Sequence, residues 1–193
     1  TRFKCDWSSD VCSSDLGQPY AAGGIRTTVA ATRAASDAEL LATGHRMLRE
    51  MHAGGTTTVE VKSGYGLNTE TEERSVRLAA EYADEVTFMG AHVVAPEYAG
   101  RADDYVDLVC GEMMQACAPH AGWVDVFCDT GAFTTEQGRR VLSAGVAAGL
   151  KPRIHLCQLE RGDGVALAIE TDCASARSEE HTSELQSHLN LVC

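Results

Sequence analysis

Helical and strand patterns alternate along this chain from Ser36 onward, and this alternation limits the possible folds more than any other feature. Short segments rich in β-branched and other apolar residues predict strands at 56–62, 86–90, 124–128 and 153–156. Segments with apolar residues three and four positions apart predict helices at 37–53, 69–83, 103–118 and 134–149. Strands that alternate with helices of this length form parallel βαβ units, so the predicted fold class is α/β.

Local signals predict where three of these helices begin and where two of them end. Each of the three begins near a Ser or Thr that is followed three residues later by Glu or Gln, a pattern in which each side chain bonds the backbone N–H of the other residue. The pairs are Ser36 with Glu39, Thr69 with Glu72, and Thr134 with Gln137. Gly54 ends the first helix, and Gly149 ends the last.

Polar side chains recur where the predicted strands end. Parallel βαβ units build either an open, doubly wound sheet or a closed barrel, and no G-x-G-x-x-G follows a strand to favour dinucleotide binding. Barrel enzymes carry their chemistry at the carboxyl ends of the strands. The residues at or just past these ends are Lys62, Tyr65, His92, Asp129, His155 and Gln158. We therefore expect part of a TIM-type (β/α) barrel with about four βα units.

Charge, hydropathy and cysteine content exclude several classes of protein. A net charge of −12 without a basic cluster disfavours binding to nucleic acid or to anionic membranes. No apolar run approaches the roughly 18 residues of a membrane span, so a cytoplasmic protein is expected. The eight cysteines are too scattered for a disulfide-stapled secreted domain. Those in the central region are expected to be free and mostly buried, namely Cys110, Cys117, Cys128, Cys157 and Cys173.

Both ends of the chain break the periodic pattern. Residues 6–16 and 177–187 show the period of neither a strand nor a helix. One DNA oligonucleotide, translated from opposite strands, encodes both segments, and it resembles a common sequencing adapter. We therefore expect residues 1–16 and 177–193 to be adapter-like artefacts on either side of a single domain at 17–176. A natural Ser-rich tail is the alternative.

His155 lies at the end of an otherwise apolar strand and is a candidate metal ligand. A neutral imidazole can ligate a metal there, and Gln158 is close enough in sequence to reach the same site. The alternative is a hydrogen-bonded core histidine. His155 and Cys157 also form an i, i+2 pair on one face of the strand, but this pair does not supply the remaining ligands.

Three other strand ends carry candidate binding or catalytic groups. His92 follows small residues and is a candidate hydrogen-bond donor to a substrate, or else a structural histidine. Tyr65 lies in a Gly-flanked loop, where its phenol could bind a substrate carbonyl or carboxylate or simply cover the barrel rim. Asp129 and Glu60 are candidate general bases that could equally satisfy neighbouring polar groups. His45, His52 and His120 are expected to be solvated.

Several motifs resemble those of the imidazolonepropionase family, in the same order and at the same spacing. The resemblance covers about 160 of the 193 residues here but only about two-fifths of the family's chain. The Lys-Ser-Gly-Tyr-Gly-Leu run is its most specific part. The motifs are Gly23 to Val29 with Thr32-Arg33, Val59 to Leu67, Gly90-Ala91-His92, Tyr105 to Val109, Val124 to Cys128, and Gly131-Ala132-Phe133.

The resemblance implies a metal-dependent hydrolase of the amidohydrolase type. In the family a zinc or iron ion activates water to open the cyclic amide of 4-imidazolone-5-propanoate, giving N-formimino-L-glutamate in histidine degradation. Tyr65 and His92 match substrate-binding residues, and His155 matches a metal ligand. Gln158 matches a Glu or Gln that contacts substrate, and it is also the candidate catalytic residue. Whether the complete enzyme is a homodimer stays open.

Other site residues of the family have no match in this chain. A His-x-His pair and a substrate-binding Arg are expected before Gln18, and a further His and a metal-binding Asp after Ala176. We therefore expect an internal fragment that is inactive, holds no zinc tightly and folds poorly. Two other classes of protein are the alternatives: a small, non-catalytic α/β binding module of the open-sheet type, and a Cys-rich metal or redox protein, for which the CxxC pairs are absent.

Overall fold

The computed structural model describes residues 24–156 and 163–177 of the chain and contains one parallel sheet of five strands. The strands are β1 (Glu60–Lys62), β2 (Glu85–Ala91), β3 (Trp123–Cys128), β4 (Lys151–Leu156) and β5 (Ser175–Arg177). Their order in the sheet is their order in the chain. The register pairs Lys62 with Thr87, Val124 with Pro152, and His155 with Arg177.

Helical segments connect successive strands. The α-helices are α1 (Gly24–Ala34), α2 (Asp37–Ala53), α3 (Thr69–Ala79), α4 (Ala102–Leu108), α5 (Met114–Cys117), α6 (Thr135–Ala147) and α7 (Gly164–Glu170). A π-helical turn at Val109–Met113 joins α4 to α5, so the predicted helix at 103–118 is present with this irregularity inside it. Short 3₁₀ turns lie at Pro96–Tyr98 and Ala118–His120.

Two of the three predicted capping boxes are confirmed. The side chains of Ser36 and Thr134 accept the backbone N–H of Glu39 and Gln137, and both reciprocal bonds are present. The third was wrong, because the cap of α3 is Asn68, whose side chain accepts the N–H of Thr71 at 2.8 Å. Glu72 is thereby left to make other contacts.

Several boundaries and elements differ from the sequence prediction. The first strand is only Glu60–Lys62, and α3 ends at Ala79 instead of near residue 83. The structure adds α1, α7 and β5, for which no element was predicted. Helix α2 has the predicted bounds, yet none of its residues is fully buried. Within the described part of the chain, other residues therefore cover the apolar face of α2 only partly.

The two faces of the sheet differ in chemistry because side chains alternate along each strand. Val124, Val126, Ile154 and Leu156 belong to the buried hydrophobic core with residues of the helices, among them Val141, Leu142 and Leu167. The opposite face carries Glu60, Lys62, Asp125, Arg153 and His155, which bond to one another. A sheet with charged groups on the face away from its helices resembles the lining of a barrel more than a sandwiched open sheet.

The strand order separates the two architectures that the sequence allowed. A doubly wound sheet reverses its strand order at a switch point, whereas a barrel adds each strand beside the previous one. The five described strands are added in chain order without a reversal. The α/β prediction is confirmed, and the sheet fits part of a (β/α) barrel with one strand more than expected.

The end segments largely lie outside the described residues, so their adapter-like origin stays a prediction. Arg177, which we placed in the second end segment, is the last residue of β5. Among the described helices, none combines the length and the apolar composition that crossing a membrane requires.

Candidate functional site

The loop that follows β1 forms one wall of the candidate site. It runs from Ser63 to Leu67, and Ser63 attaches it to the neighbouring strand β2 through two hydrogen bonds. The backbone N–H of Ser63 donates to the carbonyl of Thr87 at 3.0 Å, and its Oγ accepts the N–H of Met89 at 3.0 Å. The loop therefore continues the β1–β2 pairing past the end of β1 and has little freedom to move away from β2.

Two glycines allow this loop to lie close to its neighbours. Gly64 has a φ of +109°, and a Cβ there would lie 2.8 Å from the carbonyl oxygen of Met89 and 3.0 Å from Cβ of His92. A Cβ at Gly66 would lie 2.8 Å from the backbone nitrogen of Glu72. The Gly-Tyr-Gly sequence thus places Tyr65 between two positions where larger residues do not fit.

Tyr65 and His92, the two candidate substrate-binding residues, lie in contact with each other. Their ring centroids are 5.0 Å apart in an edge-to-face arrangement, with His92 buried and Tyr65 half-buried. His92 Nδ1 lies 3.1 Å from the carbonyl oxygen of Gly64. Because a carbonyl only accepts, Nδ1 carries the proton, and Nε2 of the neutral ring is an acceptor. His92 also packs against Phe127 of β3, with a centroid distance of 6.3 Å.

The His92 tautomer changes what this side chain can offer a ligand. The sequence suggested a hydrogen-bond donor. In the structure the Nδ1 proton is used by Gly64, so Nε2 donates only when the imidazole is protonated.

His155 lies near the end of β4 and contacts a buried carboxylate. Its Nδ1 is 2.9 Å from Oδ2 and 3.1 Å from Oδ1 of Asp125, on the neighbouring strand β3. Lys62, at the end of β1, donates from Nζ to Oδ2 of the same carboxylate at 2.6 Å. Three strands thus contribute one ionisable side chain each to a cluster that Asp125 bridges.

Asp125 has no exposed surface, and its pKa reflects two opposing effects. Burial raises the pKa of this carboxyl, but the hydrogen bonds and positive charges of His155 and Lys62 outweigh burial and lower it to about 2. Asp125 is therefore charged at neutral pH. Asp125 is not among the candidate site residues predicted from the sequence, where it appears only within a motif. Its signal in the sequence is an acid between two apolar residues, Val124 and Val126, in a buried strand.

The carboxylate of Glu60, a candidate general base, is held by several partners. It bonds Arg153 and Thr87, and it lies 3.4 Å from Lys62 Nζ. Burial raises its pKa, but the hydrogen bond from Thr87 and the charges of Lys62 and Arg153 lower it overall. These contacts favour the alternative interpretation of Glu60, which is that it satisfies neighbouring polar groups.

The remaining candidates take local or peripheral positions. Asp129 is half-buried, and its side chain accepts the N–H of the adjacent Thr130 at 2.7 Å. His45 and His52 are exposed, as expected, and half-buried His120 lies 3.5 Å from Glu73. The four described cysteines are free. Cys117 and Cys128 are buried, and burial raises both thiol pKa values, that of Cys128 to about 12.

The donor set for a metal ion is incomplete in the part of the chain that the structure describes. Across residues 24–156 and 163–177, no three His, Cys, Asp or Glu side chains form a group that could hold a metal. His155 offers one nitrogen, and catalytic zinc sites typically use about three protein ligands. Gln158 and Cys157 lie outside the described residues. The described residues by themselves therefore do not fit a metal centre.

Two of the sequence motifs are in direct contact. Arg33, in the motif at the start of the domain, donates from Nε to the carbonyl of Gly66 at 2.7 Å and pairs with Glu97. Helix α1 is joined to α3 by Arg74, whose guanidinium donates to the carbonyl of Thr32 at 2.8 Å. The first motif thus supports the Ser63–Leu67 loop from outside the sheet.

Comparison with curated proteins identifies close relatives of this chain. No family model matches it. A protein named imidazolonepropionase from Streptomyces coelicolor is 61% identical over 182 residues, which is 94% of this chain and 46% of the relative. Proteins of the same name from Mycolicibacterium smegmatis and Nocardia farcinica are 57% and 56% identical, over 94% and 90% of this chain and 46% and 44% of their own lengths. The chain spans a little under half the length of these relatives, and over that span its sequence is similar to that of imidazolonepropionases.

Proposed function

We propose that the complete protein containing this segment hydrolyses 4-imidazolone-5-propanoate to N-formimino-L-glutamate. The observation that carries the proposal is the Tyr65–His92 pair, which the Ser63–Leu67 loop holds at the ends of two adjacent parallel strands. The names of relatives that are 56–61% identical support the same reaction.

The substrate chemistry matches the groups at these strand ends. The substrate has a planar ring amide and a carboxylate, and the phenol of Tyr65 can donate a hydrogen bond to either. His92 can accept an N–H of the ring through Nε2 when neutral, because Nδ1–H is bound to Gly64. Two aromatic side chains at this position would also exclude water from one side of the ring.

Hydrolysis requires water to add to the ring carbonyl carbon, the ring C–N bond to break, and the departing nitrogen to take a proton. We assign binding and orientation to Tyr65 and His92. Gln158 is proposed as the catalytic residue that also contacts the substrate, from the segment just past β4.

A zinc or iron ion is part of the proposal for the complete enzyme, where it would polarise the carbonyl and activate water. His155 would be one ligand, since Asp125 holds its Nδ1 and thereby sets the orientation of the ring. For the complete enzyme we also propose an amidohydrolase type of barrel, a cytoplasmic location, a place in histidine degradation and assembly as a homodimer.

A hybrid enzyme tests the proposed function. Residues 17–176 of this chain would replace the segment they match in the Streptomyces coelicolor relative, and imidazolone loss would be followed by ultraviolet absorbance. We expect turnover of 4-imidazolone-5-propanoate comparable to that of the unmodified relative. A folded, metal-loaded hybrid without turnover would contradict the proposal.

A further inference from the structure

Glu72 is a buried acid to which the proposed function assigns no role. It lies in the first turn of α3, and its side chain is 0% exposed. Charged residues are almost never fully buried unless partners satisfy them. The partners of Glu72 therefore indicate what the side chain does.

Both carboxylate oxygens of Glu72 accept backbone N–H groups of the loop after β1. Oε1 accepts from Gly66 at 2.7 Å and from Leu67 at 2.8 Å, and Oε2 accepts from Gly64 at 2.9 Å. These three donors lie on both sides of Tyr65 in the chain. The loop therefore wraps around one carboxylate, and hydrogen bonds to an ionised acceptor are stronger than neutral ones.

Gly64 connects this carboxylate to His92. Its N–H donates to Glu72, and its carbonyl accepts the proton of His92 Nδ1 at 3.1 Å. A shift of Gly64 would move the acceptor that fixes the His92 tautomer. The same shift would move Tyr65, whose ring contacts His92 edge to face.

We propose that Glu72 is the positioning residue for the Tyr65–His92 pair, and this inference rests on the proposed function. The carboxylate keeps the loop in the one conformation that presents the phenol and sets the imidazole tautomer. Glu72 acts through the backbone of Gly64, Gly66 and Leu67 and is not itself assigned a contact with substrate.

The test uses Glu72→Gln in the hybrid enzyme, with Glu70→Gln as its matched control. Gln keeps the size of Glu but places an NH₂ group opposite one of the three N–H donors. Glu70 is an exposed acid in the same turn of α3, so its replacement makes the same charge change. We expect Glu72→Gln to raise KM about tenfold or more while kcat falls less than about threefold, because small displacements of binding groups are costly. Glu70→Gln should leave both values unchanged.

A purely structural role would give a different result. It would lower the fraction of active enzyme, and so apparent kcat, at an unchanged KM, and that outcome would overturn the inference. If Glu72→Gln does not fold, Glu72→Asp decides, because it keeps the charge but is one methylene too short to reach all three amides. A raised KM for that variant supports the role, and an unchanged KM overturns it.

Amide hydrogen exchange separates failure of this inference from failure of the proposed function. Peptides covering residues 63–68 are followed by mass spectrometry in the folded hybrid that carries Glu72→Gln or, if that variant does not fold, Glu72→Asp. We expect exchange in this segment to be at least about tenfold faster than in the hybrid with Glu70→Gln, since the three N–H groups no longer share one carboxylate that accepts from all of them. If the hybrid shows no imidazolone hydrolysis but the substitution at Glu72 still speeds amide exchange, the proposed function is contradicted and the positioning role of Glu72 is not. Unchanged exchange overturns the inference whatever the activity.

Discussion

At the scale of single residues, Asp125 shows how an acid on a buried strand can remain charged. It is fully buried, and its pKa is nevertheless lowered to about 2, because it is hydrogen-bonded to Lys62 of β1 and to His155 of β4, strands that lie on either side of its own strand β3. Removing one member of a buried ionic cluster leaves the others without compensation. The stability of the sheet should therefore depend on this carboxylate and on pH.

Asp125→Asn should lower the free energy of unfolding at neutral pH by about 3 kcal/mol. Because the folded-state pKa lies below the ordinary value of 3.8, the contribution of ionised Asp125 is present above pH 4 and is lost as pH falls toward 2. The difference from the parent chain, measured by urea unfolding at several pH values, should therefore shrink over that interval. Asp103→Asn, which changes an exposed acid, should have little effect, and a difference that persisted at pH 2 would contradict this account.

At the scale of elements, small residues determine how closely α6 lies against the sheet. A Cβ at Gly145 would be 2.3 Å from Cγ1 of Val124, and one at Gly138 would be 2.3 Å from Sγ of Cys128. Glycine lowers intrinsic helix stability, so its use at these two contact positions follows from packing and not from propensity. In contrast, a Cβ at Gly111, in the π turn after α4, would meet nothing within 4 Å.

Two alanine substitutions separate packing from propensity. Gly145→Ala should destabilise the chain by about 1–3 kcal/mol, because overlap with Val124 outweighs the gain in helix propensity. Gly111→Ala should stabilise it by about 0.5–1 kcal/mol, because only the propensity changes. Thermal and urea unfolding measure both, and effects of the same sign would show that packing against β3 is not the deciding factor.

At the scale of the whole molecule, the described sheet ends in short strands on both sides. Strands β1 and β5 have three residues each and form the edges of the five-stranded sheet in the part of the chain described. Unpaired strand edges are sites for pairing with another chain. The strand order fits a barrel, in which such edges would be closed by further strands.

The 193-residue chain alone should show neither imidazolone hydrolysis nor one tightly bound zinc per chain. We propose only one metal ligand in this sequence, His155, and one ligand does not hold a catalytic zinc. Metal content after dialysis and an absorbance assay test this, while sedimentation velocity should show self-association through open edges. Turnover with stoichiometric metal would overturn the prediction.

The sequence by itself determined the α/β class, most helix and strand positions, two capping boxes and the strand ends that carry Tyr65, His92 and His155. These features depend on the spacing of hydrophobic residues and on hydrogen bonds between residues a few positions apart, so short segments of the sequence predict them. The position of Gln158 stays untested, because it lies outside the described residues.

Only the tertiary structure decided which distant groups meet. Asp125 contacts Lys62 and His155 across 63 and 30 positions of sequence, and the His92 tautomer depends on a carbonyl 28 residues away. Glu72 fitted the sequence pattern of a helix cap, but it bonds the loop before the helix because Asn68 occupies the cap. Such contacts depend on strand register and on how each loop folds back, and no local pattern encodes either of them.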